Sequence, residues 1–321
     1  MGSRLHARGS RPSGSGLEGV GQTAAGDTAL GAQDCHPVVD GGRRQSHGRR
    51  APGRCVHSVN DCARYADGDM ARQSLGSLAW GKESAGRLSA SEAVRFLWLA
   101  WQSELARWPR SLRHRLSSRS ARALEVPPQL PDTPCVQEAF ALARESCSPW
   151  VLEHACRTSF WAHLLGQGEG RAFDSELLHV AAILHDVSLE ETRRAGCHCF
   201  AVDGALRAEA FARERGWSDE RSGALGDAIA LHMNPQVSSA PAAEAHLLQA
   251  GAALDVLGSR LDELDRRVVA AVLARHPRGD FGVQFAQAMR IEAQGTPGSR
   301  TALLVALGFA GRIERGPWLD G

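Results

Sequence analysis

The segment AAILHDVSLE at residues 181–190 places an imidazole and a carboxylate side by side, directly after a run of small and aliphatic residues. The run predicts the buried end of a helix, so we expect His185 and Asp186 to enter the interior with it. A buried imidazole beside a buried carboxylate is unfavourable unless a cation or a charged partner compensates it. This segment therefore predicts a polar site inside the fold.

From about residue 132 onward the chain predicts consecutive helices with short connections. Helix-start residues precede apolar periods at four positions: Thr133, Ser148, Asp174 and Ser218. Three more helices are predicted over residues 204–215, 244–257 and 261–275. Strand signals are nearly absent, because the chain has one tyrosine and no run of alternating β-branched residues. The predicted fold is an all-α bundle.

Residues 1–88 are rich in Gly, Ser and Arg and lack a sustained apolar period. Such a segment buries too little apolar surface to offset the entropy cost of ordering, so we predict a disordered N-terminal tail. A later translation start, for example at Met70, stays open as an alternative explanation of this segment.

Residues 89–125 predict an amphipathic helical arm, which precedes the main domain at residues 126–316. Ser89 and Glu92 have the spacing of a capping box. Apolar residues follow at intervals of three and four: Val94, Leu97, Trp98, Trp101 and Leu105. Two interpretations stay open, a lid or packing arm on the main domain and a scaffold helix with buried tryptophans.

Composition limits the classes of partner. The formal net charge of +1 gives no general attraction to nucleic acid or to anionic membranes. The eight cysteines contain no CxxC pair, no signal-peptide pattern occurs, and no apolar run approaches the roughly 18 to 20 residues that span a bilayer. We expect a cytoplasmic protein with free thiols and a small-molecule substrate. Apolar helix faces leave a homo-oligomer open.

Two further metal-capable residues are expected near His185 and Asp186. His154 lies within the helix that follows Ser148, and Asp255 lies late in the helix at 244–257. Two imidazoles and two carboxylates form a mixed nitrogen and oxygen ligand set. Such a set suits one divalent transition metal, zinc or iron first, with manganese and nickel as alternatives. A bound ion of this kind lowers the pKa of water towards ~7, which makes a hydroxide nucleophile available at neutral pH. We predict Asp186 to be a catalytic residue as well as a ligand.

Two more residues are candidates for catalysis. Arg157 lies three residues after His154 on the same helix face, where it positions substrate or forms a buried pair with Asp186 or Asp255. His232 is a candidate for proton transfer, substrate contact or a second metal, or it contacts only its own helix terminus. The spacing in CHC at residues 197–199 is too tight for one tetrahedral site, which favours a loop beside the pocket.

The order His154, then His185 and Asp186, then Asp255 resembles the H…HD…D signature of the HD superfamily of metal-dependent hydrolases. Over residues 130 to about 310, stretches such as EHACRTSFWAHLL, ELLHVAAILHDVSLEE and DAIALHMNP more closely resemble HD proteins related to cyanamide hydratase. The resemblance implies a helical HD domain and a metal held by these four residues. It also implies attack of metal-activated water on a small substrate.

The segment HDVSLEE differs from HD phosphohydrolases, which often carry a lysine shortly after the dipeptide. Glu190 and Glu191 would repel a phosphate, which favours a small neutral substrate. Four arginines keep an anionic substrate open: Arg157, Arg193, Arg194 and Arg207. The alternatives are therefore a phosphohydrolase acting on nucleotides or phosphomonoesters, and a catalytically silent regulatory HD module.

Overall fold

The computed structural model describes residues 74–116, 130–190, 198–240 and 242–319. Twelve α-helices occur in this part of the chain: α1 (Leu78–Ser84), α2 (Ala90–Leu116), α3 (Pro134–Ser146), α4 (Pro149–Glu169), α5 (Ser175–Leu184), α6 (Phe200–Glu214), α7 (Asp219–Leu231), α8 (Ala243–Leu257), α9 (Arg266–Arg275), α10 (Phe281–Gly295), α11 (Arg300–Ala306) and α12 (Phe309–Glu314). The described residues contain no strand beyond one isolated bridge. The prediction of an all-α fold is confirmed.

The predicted tail ends earlier than residue 88. Residues 1–73 lie outside the described residues, but residues 74–88 include α1, which Ser77 caps through the backbone N–H of Trp80. Leu75, Leu78 and Trp80 are buried, and α1 packs against α6 and α7. The segment is too short to show a helical period and is stabilised by tertiary burial, so its sequence resembled the tail.

The arm begins as predicted and lies more exposed than one of its two interpretations requires. The side chain of Glu92 accepts hydrogen bonds from the backbone N–H and the hydroxyl of Ser89, which forms a capping box at the start of α2. Trp98 and Trp101 are 54% and 53% exposed, whereas Phe96 is fully buried. The interpretation of a scaffold helix with buried tryptophans is therefore wrong for these two residues. Residues 117–125 of the predicted arm lie outside the described residues.

Most helix starts follow their predicted caps. The side chains of Thr133, Asp174 and Ser218 each accept a hydrogen bond from the first turn of the helix that follows. Three bounds differ from the prediction. Helix α6 starts four residues early, residues 261–275 divide into a 3₁₀ turn (Leu261–Glu263) and α9, and α10 to α12 were not predicted. The division occurs because Leu264 is extended and Asp265 caps α9.

Helices α4 and α8 form the centre of the fold. Between Val151 and Gly166 helix α4 is buried except at Glu153, as expected of a helix without a charged face, and α5 and α7 pack around the pair. Gly251 allows the two helices to approach, since a Cβ at this position would lie 2.8 Å from the backbone oxygen of Thr158. This close packing brings the C-terminal half of α8 against the N-terminal half of α4, where His154 lies.

Candidate metal site

Three side chains from α4 and the end of α5 converge at the centre of the fold. The ligand atoms of His154, His185 and Asp186 all lie within 4.8 Å of one another, and the residues are buried. His154 Nε2 is 3.2 Å from His185 Nε2 and 3.6 Å from an Asp186 carboxylate oxygen. In the described part of the chain this is the one such group of metal-capable residues. The sequence-based prediction that these three residues converge is matched by the structure.

The two imidazoles are oriented by hydrogen bonds on their outer edges. His154 Nδ1 lies 2.7 Å from an oxygen of Asp255, and His185 Nδ1 lies 2.8 Å from the backbone oxygen of Ala182. A carboxylate and a carbonyl only accept, so both Nδ1 atoms carry a proton, and in the neutral form of each ring Nε2 presents a lone pair inward. Burial lowers the pKa of His185 and keeps that ring neutral.

Asp186 supplies the negative charge of this group. It is 2% exposed, and neither carboxylate oxygen has a hydrogen-bond partner in the described structure. An unpaired buried carboxylate facing two imidazole lone pairs is strongly unfavourable, because all three groups offer electron density to the same space. A divalent cation relieves this arrangement, and two imidazole nitrogens with one carboxylate match the donors of zinc, iron or manganese. The residues present therefore fit a divalent transition metal.

Asp255 does not lie among these ligand atoms, in contrast to the sequence-based assignment. Its carboxylate is on the far edge of the His154 ring, and Arg157 Nε, Trp161 Nε1 and Arg278 Nη1 donate to its Oδ1 at 2.8, 3.0 and 2.9 Å. Burial alone would raise the pKa of Asp255, but the charge of Arg157 and the bond to His154 hold that pKa well below its ordinary value. Asp255 therefore orients His154 from behind.

Arg157 lies behind the site rather than facing a substrate. Its guanidinium is fully buried, donates to both oxygens of Asp255, and donates through Nη1 to the backbone oxygen of Pro277 at 2.9 Å. It does not line the cavity described below. Of the two interpretations of this arginine, the structure shows the buried pair with Asp255, and the substrate-positioning role stays a prediction.

His232 lies next to the three ligand-type residues as the C-cap of α7. Its Nε2 is 3.5 Å from an Asp186 oxygen, and its Nδ1 bonds to the backbone oxygen of Ile229. Burial and the neighbouring His185 lower the pKa of His232 to about 3. The Nδ1–H is committed to the carbonyl, so a neutral Nε2 with a free lone pair faces the site. The structure thus combines the helix-terminus contact with a placement suited to proton transfer.

A cavity of about 510 Å³ opens onto the site. Four of its lining residues are His154, His185, Asp186 and His232, and the cavity extends from them to α2. Sequence reasoning missed Arg278, because this residue lies in the connection between α9 and α10, which carries no motif. The CHC segment adds no ligand in the described residues: Cys199 is the buried N-cap of α6, and Cys197 lies outside them.

The comparison with protein families agrees with this geometry. Residues 151–275 match the family model described as HD domain. The matched range contains all six predicted site residues. The match supports the HD superfamily resemblance, and families of this type are in general metal-dependent hydrolases, although some members are regulatory. No curated protein matches the sequence. None of the described helices combines the length and the apolarity required to cross a bilayer.

Proposed function

We propose that this protein is a metal-dependent hydrolase or hydratase that adds water to an uncharged substrate. The observation that carries the proposal is the buried carboxylate of Asp186, which has no hydrogen-bond partner and faces the lone pairs of His154 and His185. A purely structural core has no physical reason to keep such a group. An HD domain match over the same residues supports the proposal.

The proposed roles follow from these positions. A divalent ion held by His154, His185 and Asp186 would supply a Lewis acid and lower the pKa of water towards ~7. Asp255 holds His154 in the tautomer that presents Nε2, as a carboxylate behind a ligating imidazole does in many metal sites. His232 presents a neutral Nε2 beside Asp186 and is placed to accept a hydrogen bond from the attacking water and to relay its proton directly to the product.

The charges around the cavity favour an uncharged substrate. Arg260 pairs with Glu169 and Glu263 at 2.8 and 2.6 Å, and Arg312 pairs with Glu104 at 2.9 Å. These are the arginines among the described residues that line the cavity. A phosphate group would therefore have only the metal ion to balance its charge, since both arginines are already neutralised. The resemblance to cyanamide hydratase makes a nitrile-like carbon the first substrate class to test.

The test uses protein reconstituted with zinc, iron or manganese and offered cyanamide, a set of nitriles and a panel of nucleotides. We expect urea or amide products, no turnover by Asp186→Asn, and a reduction of kcat of about 10²- to 10⁴-fold by His232→Asn with the metal retained. His198→Asn, a partly exposed histidine outside the cavity, should leave kcat unchanged.

Two outcomes would contradict the proposal. Release of phosphate from nucleotides without turnover of any uncharged substrate would establish a phosphohydrolase. Failure to bind metal after reconstitution would leave a regulatory HD module.

A further inference from the structure

We propose that the substrate carries a large apolar body, which extends from the metal site to the arm helix α2 and contacts Leu97 and Trp101. This inference rests on the proposed function, because it places the reacting group of the substrate at His154, His185 and Asp186. It specifies the uncharged substrate as a molecule of about the size of a typical drug, of which cyanamide represents only the reacting end.

The cavity is large enough for a ligand of this size. At about 510 Å³ it falls within the range of roughly 300 to 1,000 Å³ that is typical of sites for drug-sized ligands. A molecule of a few atoms, such as cyanamide, would occupy only the end beside His185 and would leave most of the apolar wall in contact with water. Leaving that wall uncovered forfeits the binding energy that apolar burial supplies.

The cavity lining has a polar end and a mainly apolar wall. The metal-type residues and His232 cluster at one end of the cavity. Away from this end the lining is dominated by aliphatic and aromatic side chains, among them Val237, Val256, Leu257, Leu304, Leu307 and Phe309. The two arginines of the lining are each neutralised by a glutamate. A polar end followed by an apolar wall fits a substrate with one reactive polar group and an apolar body.

The arm helix α2 forms one wall of the cavity. Leu97, Ala100 and Trp101 of α2 line the cavity, and Glu104 on the same helix pairs with Arg312 of α12 at 2.9 Å. Trp101 is 53% exposed although it lies at the cavity, so a ligand can still cover much of its ring. Trp98 packs against Trp101 with the ring centroids 4.9 Å apart. A bound molecule therefore contacts the arm only if it is long enough to reach α2 from the metal site.

Straight-chain hydroxamic acids from two to ten carbons test this inference, because each has the same metal-binding head and differs only in the apolar chain. Their affinities are measured by calorimetry on the full-length protein with and without zinc. We expect affinity to rise about fourfold for each added methylene until the cavity is filled.

Variants of α2 locate the contact. Trp101→Ala should weaken decanohydroxamate about tenfold and leave acetohydroxamate unchanged. Val94→Ala is the matched control, since Val94 is on the same helix, is 67% exposed and does not line the cavity. Equal affinity across all chain lengths, or an equal effect of Trp101→Ala on the short and long compounds, would overturn the inference.

The two arms with and without zinc separate this inference from the proposed function. A rise in affinity with chain length that is the same in both arms would support the apolar body and contradict the metal site. Zinc-dependent binding with no dependence on chain length would support the metal site and overturn the apolar body.

Discussion

Two buried aspartates lie on opposite sides of His154, and they differ in their hydrogen-bond partners. Asp255 receives hydrogen bonds from two arginines, a tryptophan and His154 itself. Asp186 receives none from the described residues. The surroundings of Asp255 neutralise its charge within the protein, so this residue stabilises the fold. Those of Asp186 provide no hydrogen-bond donor for its carboxylate, an arrangement that fits the proposed cation.

Asp255 therefore contributes to stability, whereas Asp186 contributes to the proposed metal site. Removing one partner of a buried ion pair costs much more than the pair contributes, because the remaining charge stays buried. Removing an unpaired buried charge has the opposite effect on the metal-free protein. Substitutions of the two aspartates should therefore change the free energy of unfolding in opposite directions.

The largest expected effect is that of Asp255→Asn. The substitution leaves Arg157 and Arg278 buried without their carboxylate, so we expect the free energy of unfolding to fall by about 3 to 5 kcal/mol in metal-free protein. Urea denaturation measures the change. Asp262→Asn, at an exposed aspartate, should change it by about 0.5 kcal/mol or less. A decrease in the free energy of unfolding as small as that of the control would mean that Asp255 does not stabilise the fold.

Trp161→Phe removes one donor to Asp255 and retains an aromatic ring in the core. The hydrogen bond from Trp161 Nε1 measures 3.0 Å and ends on a charged group, so its loss should cost about 1.5 to 3 kcal/mol. The same denaturation experiment in the Asp255→Asn background should show a smaller cost, since the acceptor is then no longer charged. Full additivity of the two substitutions would contradict the contact.

Asp186→Asn should raise the free energy of unfolding of metal-free protein by about 1 to 3 kcal/mol. The amide removes the buried charge and adds a donor for the lone pairs of His154 and His185. Thermal denaturation in the presence of a chelator measures the change. A destabilised variant would show that the carboxylate of Asp186 is already compensated within the protein.

His179 provides a second buried group without an opposite charge, outside the metal site. Burial lowers its pKa from the ordinary 6.5 to about 3. The unfolded chain therefore binds a proton that the folded protein does not. The free energy of unfolding is highest above pH 6.5 and decreases as the pH falls below that value. The contribution is about 1.4 kcal/mol for each pH unit between about 6.5 and 3. His179→Gln should flatten this part of the stability profile, and an unchanged slope would contradict the assignment.

The sequence predicted the parts of this fold that depend on local signals. Thr133, Asp174 and Ser218 each act within one helical turn, so their helices began where expected. The convergence of His154 with His185 and Asp186 followed from their positions on buried helices. Helix α1 was missed because its stability comes from contacts with distant helices.

The placement of Asp255 required long-range information. Whether its carboxylate faces the inner or the outer edge of the His154 ring is decided by Arg157 and Arg278. Arg278 follows Asp255 by 23 residues and lies in a connection between helices, where no spacing rule applies. The arm helix presents the same difficulty, because its apolar period does not show whether Trp101 faces a core or a cavity.

Metal content by elemental analysis is the decisive measurement for the site at Asp186. It is made on wild type, Asp186→Asn and Asp255→Asn that are purified side by side and reconstituted with excess zinc. We predict about one equivalent in the wild type and none in Asp186→Asn. Folded Asp255→Asn should still reach one equivalent at saturation, with an affinity reduced about 10- to 100-fold because His154 has lost its orienting partner. A wild type without metal, or a variant Asp186→Asn that retains it, would contradict the account.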